Sequence, residues 1–103
     1  MHLHGRDIFF DLANRYPVHA VSWHDRETSP SLVEARQLTG RAFLTGLDRE
    51  LLDHGPVEAI QTQVRETIAQ TEGQGLILAP SCVIPPTAPA EHLQAVCDAL
   101  GQA

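Results

Sequence analysis

Apolar patterning switches four times from a short strand-like run to a longer helix-like one, and this alternation limits what the chain can fold into more than any other feature. The first strand is expected at residues 1–4 and leaves at Gly5, before a helix with Ile8, Phe9, Leu12, Ala13 and Tyr16 on one face and Pro17 as its stop. The second strand is expected at about residues 18–23. Ser29-Pro30 then opens a helix carrying Leu32, Val33, Ala35 and Leu38. A third strand at about residues 42–45 closes at Gly46. After it come a short helical turn through Leu51 and Leu52, and a longer helix from Pro56 whose Val57, Ile60, Val64 and Ile68 recur every three or four residues. The glycine-rich stop Gly73-Gln74-Gly75 precedes a continuous apolar run at residues 76–79, the pattern of a parallel strand covered on both faces. A last helix from near Pro89 is expected to bury Leu93, Val96, Cys97 and Leu100.

Four β-α units in strict alternation predict an α/β fold with a parallel sheet and right-handed crossovers. Two closures compete, an open sheet and part of a (β/α)8 barrel. A whole barrel takes eight units and typically about 250 residues, so 103 residues supply about half of one. Strand residues begin directly after Met1, leaving an uncovered sheet edge, which reads as a fragment. The chain carries 7 Lys+Arg against 13 Asp+Glu, a net charge of −6, which argues against nucleic acid as a partner. No apolar run is long enough for a membrane span and no signal peptide is present, so the expected location is cytoplasmic. The two cysteines, Cys82 and Cys97, are then expected as reduced thiols.

In sheets of this kind, sites form where strands end and the loops toward the following helices begin. That rule selects His2, His4 and Gly5 at the first strand end, His24 and Asp25 at the second, Gly46 and Asp48 at the third, and Ser81 and Cys82 at the fourth. Side chains alternate along a strand, so His2 and His4 share a side. With Cys82 they make two imidazoles and a thiolate, and three protein ligands with one open position is the arrangement of a catalytic zinc. Asp25 and Asp48 are candidate substrate-facing acids, with a turn and a helix N-cap as their respective structural alternatives. Cys97 reads as a small core residue, His19 as packing or surface, His54 as a helix C-terminal residue and His92 as a solvated helix position. Trp23 reads as packing rather than as a pocket wall.

Four segments together, His2-Leu3-His4-Gly5, Val21-Ser22-Trp23-His24-Asp25-Arg26-Glu27-Thr28, Gly46-Leu47-Asp48 and Ala79-Pro80-Ser81-Cys82-Val83-Ile84-Pro85-Pro86, resemble the uroporphyrinogen decarboxylase superfamily. The resemblance covers nearly the whole chain and implies the C-terminal half of that family's (β/α)8 TIM barrel. One branch of the superfamily decarboxylates the acetate side chains of uroporphyrinogen without metal or cofactor. The other is similar to methylcobalamin:coenzyme M methyltransferases and uses zinc to activate a thiol that accepts a methyl group from a corrinoid. That branch carries histidine-x-cysteine on one strand and a later cysteine in Ala-Pro-Gly-Cys. Here His2 matches the histidine, His4 stands where cysteine is expected, and Cys82 matches the later cysteine. The decarboxylase branch has Gly-His-Gly on its last strand, and Ser81 stands in place of that histidine.

The resemblance thus implies a parent enzyme that is a zinc-dependent, corrinoid-linked methyltransferase with His2, His4 and Cys82 as ligands. The alternatives are a cofactor-independent decarboxylase of porphyrin biosynthesis, or a non-catalytic fragment. The implied partners are a small-molecule substrate (a thiol and a methyl-corrinoid, or a porphyrinogen). A half barrel also exposes two sheet edges, which predicts self-association or pairing with an N-terminal half barrel.

Overall fold

A computed structural model describes residues 1–101. Its elements follow in the order β1 (His2–Leu3), α1 (Leu12–Arg15), β2 (Ala20–Trp23), α2 (Leu32–Leu38), β3 (Ala42–Leu47), α3 (Arg49–His54), α4 (Val57–Thr71), β4 (Leu76–Pro80) and α5 (Ala90–Gly101). The four strands are parallel and lie side by side in sequential order, β1-β2-β3-β4. Sequential order decides between the two closures left open by the sequence. A doubly wound sheet reverses direction to place helices on both faces, whereas crossovers of one hand in unbroken order place every helix on the same face. The molecule is therefore an arc of a barrel.

Burial follows the same division. On the helix-covered face Val21, Trp23, Phe43 and Thr45 have no exposed surface. On the opposite face Leu44 is 39% and Ile77 59% exposed, because that concave side has no second layer. The apolar run at β4 is accordingly covered on one face only, contrary to the two-sided cover its composition suggested.

Two clusters make up the core. Trp23 stacks edge-on with Phe10 at 4.8 Å and Phe43 at 5.3 Å between ring centroids, with Ile8, Ala13, Val21, Leu32 and Ala35 around them. The second joins Leu47 and Leu52 to Ile60 and Val64 of α4 and Ala95 and Ala99 of α5. The face expected of α4 is the one buried.

Elsewhere the local chemistry departs from periodicity. Phe9 takes a left-handed φ of 49°, which turns its side chain into solvent and delays α1 to Leu12, so Ile8 and Phe10 enter the core instead. α2 is capped by Ser31 rather than Ser29, in a capping box whose other half is Glu34. α5 is rotated from its expected face: His92, Ala95 and Ala99 are buried, while Leu93, Cys97 and Leu100 are exposed. Two alanines let α5 approach α4 closely, and His92 is accommodated because its Nδ1 lies 2.7 Å from the Leu52 carbonyl. His92 is thus a core residue and Cys97 a surface one.

Gly46 closes β3 at φ 116°, a conformation suited to glycine, and a Cβ there would collide with Thr67 Cγ2. Thr67 in turn donates to the Gly46 carbonyl at 2.8 Å, tying α4 to the strand end. Gly46→Ala is expected to cost about 3 kcal/mol through backbone strain and overpacking, read as a lowered urea midpoint. A midpoint unchanged from the parent chain would contradict this packing.

Candidate metal centre

The pairing of β1 with β2 sets His2 beside Ser22 and Leu3 beside Trp23, so one further residue brings His4 beside His24. Alternation then puts His2, His4 and His24 on the concave face and Trp23 on the helix side. β4 ends at Pro80, and the turn beyond it delivers Cys82 to the same place.

The result is a cluster in which one donor atom each from His2, His4, His24 and Cys82 lies within 4.8 Å of all the others. His4 Nδ1 is its hub, 3.4 Å from His2 Nε2, 3.3 Å from His24 Nε2 and 3.8 Å from Cys82 Sγ. Tetrahedral zinc with Zn–N near 2.0 Å and Zn–S near 2.3 Å separates its donors by about 3.3 Å for two nitrogens and about 3.5 Å for nitrogen and sulfur. The three spacings about His4 match to within a few tenths of an ångström, and the remaining donor pairs lie within 4.8 Å. A single ring nitrogen cannot satisfy two nitrogens and a sulfur by hydrogen bonding at once, whereas one soft cation can. The donor set fits zinc.

The outer ring atoms are held as a metal site requires. His2 Nδ1 meets Ser22 Oγ at 2.9 Å. His24 Nδ1 faces Ser81 Oγ at 3.4 Å and Glu27 Oε2 at 3.6 Å, and Glu27 continues to Arg49 Nε at 3.8 Å. His24 itself is 2% exposed, against exposed His2 and His4 and half-buried Cys82.

Of the residues selected at strand ends, His2, His4, His24 and Cys82 converge, with Ser81 beside His24. His24, selected at its strand end but not expected among the zinc ligands, is the fourth donor. Asp25 and Asp48 lie apart from the cluster. Asp48 caps α3, its carboxylate accepting from Glu50 N at 2.9 Å. Asp25 is buried on the helix side, 2.7 Å from Thr45 Oγ1 and 3.6 Å from Arg26 Nε. Burial raises its carboxyl above the usual range, against the opposing effects of Thr45 and Arg26. Trp23 belongs to the core, and its indole donates to the Pro30 carbonyl at 2.8 Å.

Burial lowers His2, reinforced by His24 and His4, and burial likewise lowers His24 against the pull of Glu27. Both rings therefore favour the neutral form that binds metal. In the metal-free chain the folded state resists two protons that the unfolded state takes up near 6.5, so this contribution to stability is present above that pH and is lost as pH falls below it. The urea midpoint of apo protein should fall between about pH 7.5 and 5.5, and fall less in His24→Gln. Asp25 acts with the opposite sign but is common to both proteins. Equal slopes would contradict the burial effect at His24.

Comparison with known proteins bears on the family and the fold. The family model described as uroporphyrinogen decarboxylase matches residues 1–102. A solved methyltransferase from Methanosarcina mazei superposes with a TM-score of 0.81 at 20% sequence identity over 98% of this chain. The chain spans 30% of that methyltransferase's length. No curated protein matches it. Among the described residues no helix is long and apolar enough to cross a membrane. The arc of four parallel β-α units is thus part of a TIM barrel, and the chain belongs to the uroporphyrinogen decarboxylase family.

Proposed function

We propose that this chain is the metal-holding half of a zinc-dependent methyltransferase that moves a methyl group from a methyl-corrinoid to a thiol. The single observation carrying the reading is the convergence of three imidazoles and one thiol at the C-terminal ends of the strands. His2, His4, His24 and Cys82 would hold the metal, one donor more than the three-ligand arrangement, so a substrate thiol would have to enter as a fifth donor. Zinc at such a donor set supplies a Lewis acid that lowers the pKa of a bound thiol, so that its sulfur is a nucleophile near neutral pH.

The remaining work falls to the chain's own groups. Ser22 and Glu27 orient the rings of His2 and His24 from behind, and Arg49 steadies Glu27. Asp25, bound to Thr45 and Arg26, fixes the end of β2 that carries His24. The concave sheet face beside the cluster receives the reactants. Closing that face takes four further β-α units, and we assign them to a companion half barrel pairing along the free edges of β1 and β4. A decarboxylase reading has less support here, since the place of that branch's histidine is taken by Ser81, whose hydroxyl faces His24 Nδ1.

The reading is tested by titrating zinc-loaded chain with a thiol in weakly buffered solution at neutral pH. About one proton released per thiol bound is the expected result. Binding without proton release, or no binding, would overturn it.

A further inference from the structure

We infer that the trough beside the cluster seats the body of an uncharged, apolar thiol and selects against a thiol with an anionic tail; this rests on the metal-centred reading above. The trough is a cavity of about 340 Å³ whose walls include His2 and Cys82 of the cluster and Leu44, Ala79, Pro80 and Val83. Two of the four metal-binding candidates are therefore also walls of the cavity. A ligand whose sulfur is held at the cluster has its organic part against the other four.

Those four offer no ionic partner. Ser22, the remaining polar group at the cavity, is already turned to His2 Nδ1. The chain has no lysine and no arginine lines the cavity: Arg15 is paired with Asp11, Arg26 with Asp25 and Glu66, and Arg49 with Glu27, Arg36 lies over the Phe43 ring, Arg41 reaches backbone carbonyls, and the Met1 ammonium donates to the Ala20 carbonyl. A sulfonate or carboxylate pressed onto Leu44 and Val83 would lose water and gain no counter-charge. Alkyl surface loses nothing there and covers two apolar side chains that now face solvent, Val83 at 74% and Leu44 at 39% exposure.

The test loads the full chain with Co(II) in place of zinc, measures bound metal, and titrates ethanethiol, butane-1-thiol and 2-mercaptoethanesulfonate, reading the sulfur-to-cobalt absorption. Each buried methylene is worth about fourfold, so butane-1-thiol, with two more of them, should bind about 15-fold tighter than ethanethiol, with the sulfonate weakest. Leu44→Asn and Val83→Asn should flatten that series. Equal affinity for the two alkyl thiols, or tightest binding of the sulfonate, in a metal-loaded chain overturns this inference and leaves the metal-centred reading intact. A chain that takes up no metal overturns both.

Discussion

Replacing His24 with alanine is expected to lower zinc affinity by more than about 100-fold, as is replacing Cys82 with serine. Loss of an outer-sphere partner alone typically costs about 10- to 100-fold, and each of these changes removes a donor outright. His24 is the more informative of the two. Its Nε2 is 3.3 Å from the hub nitrogen of His4, its Nδ1 is held by Ser81 and Glu27, and it is the most buried member of the cluster. Its ring is thus already oriented, and little freedom is lost when it binds. Competition with a chromophoric chelator gives the affinities. Cys97→Ser is the matched control, since Cys97 is exposed on α5 and lies outside the cluster. It should leave both zinc affinity and stability unchanged, the latter within about 0.5 kcal/mol. Retention of zinc in His24→Ala at parental affinity would remove His24 from the site.

The largest effect on folding is expected at Trp23. Its ring is fully buried between Phe10 and Phe43, and its N–H is bonded to the Pro30 carbonyl. Truncation to alanine removes that packing, leaves a cavity, and strands a buried acceptor, for a cost of about 3–5 kcal/mol. Against a total stability of about 5–15 kcal/mol, and with one face of the sheet uncovered, that is enough to leave much of the chain unfolded at room temperature. Trp23 is the single tryptophan, so the urea transition must be followed by far-ultraviolet circular dichroism rather than fluorescence. Trp23→Phe keeps most of the ring and should cost about 1–2 kcal/mol through the lost hydrogen bond. A loss below 1 kcal/mol in Trp23→Ala would contradict the assignment of this cluster as the core.

Much of the architecture was legible because strand and helix write different periods into a sequence. The four alternating units, the buried face of α4 and the shared side of His2 and His4 all follow from periods of two and 3.6. Cys82 was legible as a candidate ligand at a strand end. His24 was legible at its strand end but not as a ligand, because its partnership with His4 depends on the register of β1 against β2, and register is a long-range property that neither strand's own residues encode. Ser22 and Glu27 became visible only with it.

α5 failed for a different reason. It has apolar residues on two sides, Leu93, Cys97 and Leu100 on one and Ala95 and Ala99 on the other, and hydrophobicity favours the larger set. Close helix approach favours the smaller, and a carbonyl at Leu52 makes burial of His92 acceptable. Asp48 carried two readings in the sequence, and its hydrogen bond to Glu50 N gives it the capping one.

The central claim is that these strand ends assemble one zinc site from three imidazoles and a thiolate. X-ray absorption at the zinc edge, on chain loaded to about one equivalent, tests it most directly. A first shell of three nitrogens near 2.0 Å and one sulfur near 2.3 Å is expected, with the sulfur lost in Cys82→Ser. A shell without sulfur in the parent chain, or failure to retain zinc in the folded protein, would contradict it.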